Sequence, residues 1–320
     1  MLSVRKIDSS KQAGHYFSAA DYYVNGDDKD SIKSEWNGSA AKVLGLSGEV
    51  DIEKFKSLLD GHVDNQVLGR VEDNGVINHK CGWDFTFSAP KSVSILSILG
   101  GDKDLLIAHN EAVKHALSVL EEEVITRKMQ DGVSMEHSTK NAIFASFTHT
   151  TSRSLDPQLH THNVLMNMTK DNDKWMSIES KPLYDLKMIA GLEYRLKLSE
   201  LVKEAGYSIN MDYKKGTFEI DSVSSSLISH FSKRSKEIRA KAEELGVQDS
   251  KKLETIALNS RDSKEHSSTQ ERLEDWGAQL KEMNLEKDLL KALSNKEEAA
   301  QTKETNQAKE EAAQTKETNQ

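Results

Sequence analysis

Several features that would indicate other classes of protein are scarce or missing in this chain of 320 residues. Cys81 is the only cysteine, which excludes an internal disulfide framework and suits a reducing cytoplasm. No apolar segment reaches the roughly 20 residues that a membrane-spanning helix needs, and the N-terminus lacks the apolar run of a signal peptide. No Gly-Lys dipeptide occurs, so the chain has no phosphate-binding P-loop. We therefore expect a cytoplasmic protein that is neither inserted in a membrane nor driven by ATP.

Positive charge is also in short supply. The chain holds 43 Lys and Arg against 52 Asp and Glu, a formal net charge of -9, so its overall electrostatics do not indicate a nucleic-acid partner. Residues 181–241 depart from this balance, with 12 basic against 8 acidic side chains and a local charge of +4. Lys214 and Lys215 lie in this stretch and could follow a phosphate backbone, although a solvated helix face accounts for such residues equally well.

The C-terminal end repeats itself. Residues 296–307 read KEEAAQTKETNQ, and residues 309–320 repeat these letters. The repeat holds no aromatic and no apolar β-branched residue, so it cannot bury enough surface to offset the entropy of ordering. We predict one domain over residues 1–295, in which residues 181–295 form a helix-rich portion, and a disordered or partly helical tail over residues 296–320.

Helical and strand-like patterns alternate along the domain without the regular spacing of βαβ units. This mixture favours an α+β fold with a largely antiparallel central sheet flanked by helices. Ser88 is predicted to cap a helix that has Pro90 in its first turn. The apolar periodicity predicts strands over Trp83–Phe87, Asn141–Thr150 and His160–Thr169, helices over Lys103–Arg127 and Leu186–Ala205, and a hairpin over Tyr207–Ile220.

Three histidines are spaced as metal ligands on neighbouring strands. His160 and His162 flank one residue in a predicted strand, and residues two apart in a strand point to the same face. His149 ends the preceding predicted strand, and a hairpin would bring it opposite them. Three imidazoles leave further positions of a divalent ion open to water or substrate, as a catalytic ion requires. The alternative, a polar strand surface without a metal, stays open at this point.

Asp84 lies within the apolar segment Trp83–Phe87, where an unpaired carboxylate would be costly. It could accept the ring proton of a metal-bound histidine and so orient that ligand. It could also act as a base toward a nucleophile. A plainer alternative is a carboxylate that caps the turn before Pro90.

Three of the seven tyrosines fall within residues 16–23, at Tyr16, Tyr22 and Tyr23. Such aromatic density could simply pack a helix against a sheet. A phenol has a pKa near 10 and is a poor nucleophile unless a cation or a base stabilises its phenolate. A histidine-bound metal would supply that cation, so a tyrosine nucleophile is the more specific hypothesis.

A series of motifs extends this pattern over about residues 1–290. In chain order the chain carries AGHYF at 13–17, DYYV at 21–24, WNG at 36–38, LGL at 44–46, GWDFTFSAPKSVS at 82–94, TTSR at 150–153, DPQLHTH at 156–162, SRDSK at 260–264 and Trp276. In these motifs and their spacing it resembles the conjugative relaxases of the MobF class. The resemblance implies an HUH fold, in which two histidines flank one residue on a central strand, and a metal-dependent nickase that cleaves single-stranded DNA at a plasmid origin of transfer.

The resemblance also implies roles for particular residues. Phe17 stands where the family commonly has a second adjacent tyrosine, which leaves Tyr16 as the candidate nucleophile of that pair. Mg²⁺ or Mn²⁺ is the expected ion, although three imidazoles alone would prefer softer metals. Matched by position are the metal ligands at His149, His160 and His162, the site aspartate at Asp84, the primary nucleophile at Tyr16 and the second tyrosine pair at Tyr22 and Tyr23. Lys91 and Arg153 lie beside motifs and join Lys214 and Lys215 as candidate DNA contacts, with residues 181–295 clamping the strand.

Partners and rival functions follow from the same resemblance. It implies relaxosome accessory proteins, a type IV secretion coupling protein, and export of the protein from the cytoplasm with the DNA strand. A rolling-circle replication initiator of the HUH type shares this chemistry, but its tyrosine usually follows the histidine motif. A non-catalytic origin-binding repressor would bind origin DNA without cleaving it, and a phosphoesterase that uses water would leave no covalent adduct.

Overall fold

The computed structural model describes residues 2–18, 34–73, 75, 77–247 and 268–296. Tyr22, Tyr23 and the repeats from residue 297 onward lie outside these ranges. The strands, in chain order, are β1 Leu2–Ile7, β2 Ser34–Asn37, β3 His62–Val63, β4 Gln66–Val67, β5 Arg70–Val71, β6 Ile77–Asn78, β7 Gly82–Ser88, β8 Ile125–Gln130, β9 Val133–Ser138, β10 Phe144–Thr151, β11 Pro157–Met166, β12 Thr169–Asp171, β13 Lys174–Met176, β14 Ile209–Asp212 and β15 Thr217–Ile220.

Helices surround these strands, and residues 286–296 are helical as well. The other helices, in chain order, are α1 Ser10–Ser18, α2 Ser39–Val43, α3 Ile52–Leu59, α4 Lys91–Ile98, α5 Lys103–Glu122, α6 Lys181–Asp185, α7 Lys187–Glu204, α8 Ser225–His230, α9 Lys233–Glu244 and α10 Thr269–Glu282. Within the described ranges, none of them combines the length and apolar character that crossing a bilayer requires.

The centre of the molecule is a sheet whose described strands run in the order β1-β7-β11-β10-β2. Every neighbouring pair in this sheet is antiparallel. The predicted α+β fold with a central antiparallel sheet is therefore confirmed. Strand β11 is the middle strand, so its backbone is hydrogen-bonded on both sides and its side chains are held in a fixed register.

Side chains alternate between the two faces of β11, and both faces are covered. Leu159 and Leu165 point to one face, into a core shared with α4, α5 and α7. Val164 and Met166 point to the other, into a core shared with α1, α2 and α3. His160 and His162 have the parity of Val164 and Met166, so we call this second side of the sheet the histidine face.

Helix α1 is anchored to the histidine face by Phe17. The Phe17 ring stacks on Phe147 of β10 with ring centroids 4.5 Å apart, and meets Phe55 of α3 edge-on at 5.8 Å. At Gly14, a side chain would meet Lys56 of α3, since a Cβ there would lie 2.5 Å from a Lys56 side-chain carbon. The small residue and the buried ring together bring α1 close to α3 and to the sheet, which fixes the position of the neighbouring Tyr16.

The strand predicted over His160–Thr169 is β11, Pro157–Met166, and Thr169 belongs to β12, but the largest difference from the sequence prediction is at a helix end. The helix predicted over Lys103–Arg127 ends at Glu122, and Ile125–Gln130 instead forms β8, which pairs with β9. The β-branched run Val-Ile-Thr at 124–126 favours a strand. Asp131 and Gly132 close the hairpin with φ angles of 52° and 80°, a turn that requires positive φ at both central positions. The turn chemistry thus overrides the helical periodicity that continues past Glu122.

Of three smaller structural predictions, two are confirmed and one is wrong. The predicted strand Trp83–Phe87 lies within β7, and the predicted hairpin over Tyr207–Ile220 is formed by β14 and β15. The prediction that Ser88 caps the following helix is wrong, because α4 has Pro90 as its N-cap residue and no side-chain cap. Proline suits a helix start since it has no N–H to satisfy there.

Candidate active site

The three predicted ligands converge on the histidine face. In the antiparallel pair of β10 and β11, His149 lies directly opposite His160, and His162 is two residues further along β11. One ring nitrogen from each side chain can be chosen such that all three lie within 4.8 Å of one another. This is a compact set of three nitrogen donors, held by two neighbouring antiparallel strands, and it fits a divalent transition metal with open coordination positions.

Hydrogen bonds determine which ring nitrogen two of the histidines present. Nδ1 of His160 lies 2.9 Å from the carbonyl oxygen of Gln158, which can only accept, so Nδ1 carries the proton and donates it. Nδ1 of His162 lies 2.7 Å from Oδ2 of Asp84 and donates to that carboxylate in the same way. In both rings the lone pair therefore lies on Nε2, the nitrogen that a metal would bind.

Asp84 contacts His162. This contact corresponds to one of the two functional roles predicted for Asp84, the orientation of a histidine ligand. It lies in the middle of β7 and is nearly buried, and its second carboxylate oxygen accepts a hydrogen bond of 3.2 Å from Thr86 Oγ1. The alternative that Asp84 caps the turn before Pro90 is wrong, because its carboxylate bonds to His162 and Thr86. A carboxylate in this position fixes the tautomer and the orientation of the imidazole.

A second polar network lies on the opposite face of β11 and was missed in the sequence. His109, a fully buried residue of α5, bonds through Nδ1 to Tyr194 Oη at 2.7 Å and through Nε2 to Thr161 Oγ1 at 2.8 Å. Thr161 also bonds Thr148 of β10 at 3.0 Å. Because Thr161 stands between His160 and His162, this network supports β11, the strand that carries both histidines, from the opposite face of the sheet. The available signal was a histidine within the apolar stripe of α5, which usually indicates only a satisfied core residue.

Burial lowers the pKa of His109 to about 3, so this imidazole is neutral in the folded protein near neutral pH. The unfolded chain takes up a proton here as the pH falls below its ordinary pKa of about 6.5, whereas the folded chain does not. The free energy of unfolding should consequently decrease with falling pH between about 6.5 and 3, by about 2 kcal/mol from pH 6.5 to pH 5. Urea unfolding at about pH 7 and about pH 5 measures this loss.

The matched variants are His109→Gln and His115→Gln, both on α5. Gln retains polar groups but does not titrate, so His109→Gln should be less stable at neutral pH and lose the acid-dependent component. His115 is partly exposed beside Glu193, and its replacement is the control for the same change at a second position of α5. Equal acid sensitivity in wild type and His109→Gln would contradict a neutral, buried His109.

Tyr16 faces the same site from α1. Its ring meets the ring of His162 edge-on with centroids 5.8 Å apart, and it is partly buried. Its neighbour Phe17 is buried and packs against the sheet, so the two adjacent aromatic residues have different tasks. The second tyrosine pair, Tyr22 and Tyr23, lies outside the described residues, and its place relative to the histidines stays a prediction.

A cavity of about 210 Å³ joins these groups. Tyr16, His160 and His162 line it together with Arg153 and with Arg5, a residue that the sequence did not single out. Its other lining residues are small or neutral polar residues, at Ser3, Thr86, Ser88, Thr151, Ser152 and Gln158. A phenol, an imidazole cluster and two guanidinium groups around one small cavity can bind a phosphate group and direct a tyrosine oxygen at it.

The four predicted DNA contacts lie in different surroundings. Arg153 lines the cavity. Lys91 is partly buried, donates to the carbonyl oxygen of Pro157 at 2.8 Å, and has its pKa lowered by burial to about 8. Its contacts favour a role in fixing the start of β11. Lys214 and Lys215 lie on the exposed turn between β14 and β15, where Lys215 pairs with Asp212 at 3.1 Å, and they do not line the cavity.

The loop that carries Arg153 is held by the helix-rich portion of the chain. Trp276 of α10 donates from Nε1 to the carbonyl oxygen of Leu155 at 2.7 Å. The backbone N–H of Lys233, at the start of α9, donates to Oδ2 of Asp156 at 2.7 Å. Residues far along the chain therefore hold this loop two and three residues after Arg153, which joins the predicted helix-rich portion to the site.

Comparisons with known proteins agree with this geometry. A family model described as TrwC relaxase matches residues 9–283. The multifunctional conjugation protein TraI of Escherichia coli (strain K12) is 39% identical over 294 residues, which make up 88% of this chain and 16% of that protein. The chain thus spans about a sixth of the length of that relative.

Solved structures resemble the chain over most of its length. A metal-bound structure of the conjugative relaxase TrwC in complex with oriT DNA has a TM-score of 0.80 and 30% identity, with 89% of this chain and 99% of that chain covered. A structure of TrwC with a 27-mer DNA that comprises the recognition hairpin and the cleavage site has a TM-score of 0.78 and 29% identity, with the same coverage.

Proposed function

The chain belongs to the TrwC relaxase family, and from this membership we propose that it is a site- and strand-specific DNA nickase of conjugative plasmid transfer. The observation that carries the proposal is the presence of Tyr16 and two of the three clustered histidines on the wall of one cavity. The phenol supplies a nucleophile and the histidine cluster supplies a cation site beside it. Neither group alone would distinguish strand transfer from simple phosphate binding.

The proposed reaction is a transesterification at one phosphodiester of a single strand. The hydroxyl oxygen of Tyr16 attacks the phosphorus in line, the bond from phosphorus to the 3′ oxygen breaks, and a 5′-phosphotyrosyl link forms. The phenol gives up its proton, and the departing 3′ oxygen takes one up. A divalent ion held by His149, His160 and His162 would polarise a non-bridging oxygen of the phosphate and offset charge in the transition state.

The protein's own groups prepare this step. Asp84 fixes the tautomer and the ring orientation of His162, and the Gln158 carbonyl does the same for His160. Phe17 locks α1 to the sheet so that Tyr16 is presented to the cavity. Since the covalent link retains the phosphodiester bond energy, a free 3′-hydroxyl can attack it and rejoin the strands by the reverse step.

Finer features of the function are proposed from the family. We propose Mg²⁺ or Mn²⁺ as the ion in the cell, with Tyr22 or Tyr23 making a second attack when the strand transfer ends. The proposed substrate is the single-stranded plasmid origin of transfer. Relaxosome accessory proteins and a type IV coupling protein are the proposed partners, and the protein would act in the cytoplasm and leave it with the DNA strand.

A cleavage assay tests the proposal. The protein and Mg²⁺ are incubated with single-stranded oligonucleotides tiled across the DNA that flanks its gene, and products are separated under denaturing conditions. We expect one oligonucleotide to give a shortened fragment with a 3′-hydroxyl and a protein-linked fragment in equal yield. Binding without cleavage would support an origin-binding repressor instead, and cleavage without a protein-linked product would support a phosphoesterase that uses water.

A further inference from the structure

Arg5 lies on the histidine face although it comes from the edge of the sheet. It belongs to β1, where it stands directly opposite Asp84 of β7, and Ser3 stands opposite Thr86. Residues opposite each other in an antiparallel pair project to the same face. Arg5 is therefore on the side of the sheet that carries Asp84, Thr86 and His162, and it lines the cavity.

The guanidinium of Arg5 is available to a ligand. Within the described part of the chain, no carboxylate forms an ion pair with it, and its side chain is exposed. Asp84, the carboxylate opposite, already has one oxygen bonded to His162 and the other to Thr86. Arg5, with no ion-pair partner among the described residues, contrasts with Lys6, the next residue, whose ammonium pairs with Asp8 at 2.8 Å.

The charge of the cavity favours an anionic ligand. Arg5 and Arg153 line it, and among its described lining residues there is no Asp or Glu. The chain as a whole carries a net charge of -9, so this concentration of positive charge runs against the composition. A small cavity with cationic walls focuses the electrostatic potential and attracts anions such as phosphate.

We propose that Arg5 binds the phosphate that Tyr16 attacks, as a second cationic contact beside the histidine cluster. This inference rests on the proposed function and names a substrate-binding residue for it. The cavity of about 210 Å³ is smaller than the roughly 300–1,000 Å³ of pockets that enclose a whole small-molecule ligand. It therefore suits one phosphodiester group, shared by Tyr16, the histidines and Arg5. The planar guanidinium can donate two parallel hydrogen bonds to the non-bridging oxygens.

The test compares Arg5→Gln with Lys6→Gln, two neutralising changes at consecutive positions whose side chains leave opposite faces of β1. The substrate is the oligonucleotide that the wild-type protein cleaves. We expect Arg5→Gln to slow single-turnover cleavage on the order of 10²-fold, as the loss of one transition-state donor does. The slope of log Kd against log salt concentration should also fall by about 0.7, the value for one phosphate contact to a single strand.

Lys6→Gln should stay within about twofold of wild type in rate, because its charge faces the other side and is paired with Asp8. Arg5→Lys keeps the charge but loses the bidentate geometry, so it should recover part of the rate. Thermal unfolding of each variant checks that the fold is retained. Equal cleavage rates for Arg5→Gln and Lys6→Gln would overturn this inference, whereas the absence of any adduct with the wild-type protein would overturn the proposed function.

Discussion

Tyr16→Phe is expected to abolish the covalent protein–DNA adduct while single-strand binding stays close to wild type. The change removes one oxygen atom and keeps the ring that packs against Phe17 and His162. Folding and metal binding should therefore be retained. A covalent enzyme that loses its nucleophile retains little activity, with losses reaching on the order of 10⁶-fold, so cleavage should fall below detection.

Tyr213→Phe is the matched control for this experiment. Tyr213 is 86% exposed on the turn between β14 and β15 and is not among the cavity-lining residues, so its hydroxyl should be dispensable for the attack. Cleavage rate, adduct yield and binding are measured for both variants with the same oligonucleotide. A normal adduct yield in Tyr16→Phe would show that another residue is the nucleophile, with Tyr22 and Tyr23 as the first candidates.

Replacement of His160 and His162 together with alanine is expected to remove the metal and with it the cleavage activity. Only His149 would remain of the three nitrogen donors, which is too few to hold a divalent ion at this site. Much of the DNA affinity should persist, because phosphate contacts from basic side chains do not depend on the ion. Metal titration by calorimetry, single-turnover cleavage and a binding assay separate these three quantities.

Two further variants serve as controls, one for a loss of stability and one for the removal of histidines outside the site. Loss of His162 leaves the Asp84 carboxylate without its main partner, which costs about 1–3 kcal/mol of stability, so His160→Ala alone is the milder variant because it retains the Asp84–His162 bond. The double variant His115→Ala/His137→Ala removes two partly exposed histidines that pair with Glu193 and Asp171 elsewhere. Full cleavage by the His160→Ala/His162→Ala protein would contradict a role for the histidine cluster in the reaction.

The arrangement of the metal site could be read from the sequence because its rules are local. A residue spacing of two places His160 and His162 on one face of a strand, and a hairpin brings His149 opposite them, as the register of β10 and β11 confirms. The carboxylate in the apolar segment of β7 needed a partner, and His162 is that partner. The placement of the three histidines required no knowledge of how distant parts of the chain meet, whereas the choice of His162 as the partner of Asp84 depends on the pairing of β7 with β11.

Long-range packing explains what the sequence did not reveal. Arg5 reaches the cavity only because β1 pairs with β7, a contact between residues about 80 positions apart. His109 contacts Thr161 only because α5 covers the face of β11 opposite the three histidines. The basic residues Lys91, Lys214 and Lys215 look alike in sequence, yet the partly buried Lys91 donates to the Pro157 carbonyl and the other two lie on an exposed turn. Their surroundings, not their residue type, determine what each can contact.

Identification of the modified residue in the wild-type adduct tests the central claim most directly. The adduct is trapped with Mg²⁺, the DNA is trimmed with nuclease, and the protein is digested with trypsin. Cleavage after Lys11 and Lys29 places Tyr16, Tyr22 and Tyr23 in one peptide, so fragmentation within that peptide must locate the nucleotide. Fragment ions that carry the phosphonucleotide on Tyr16 are the predicted result. A modification confined to Tyr22 or Tyr23, or the absence of any modified peptide from a protein that cleaves the strand, would contradict it.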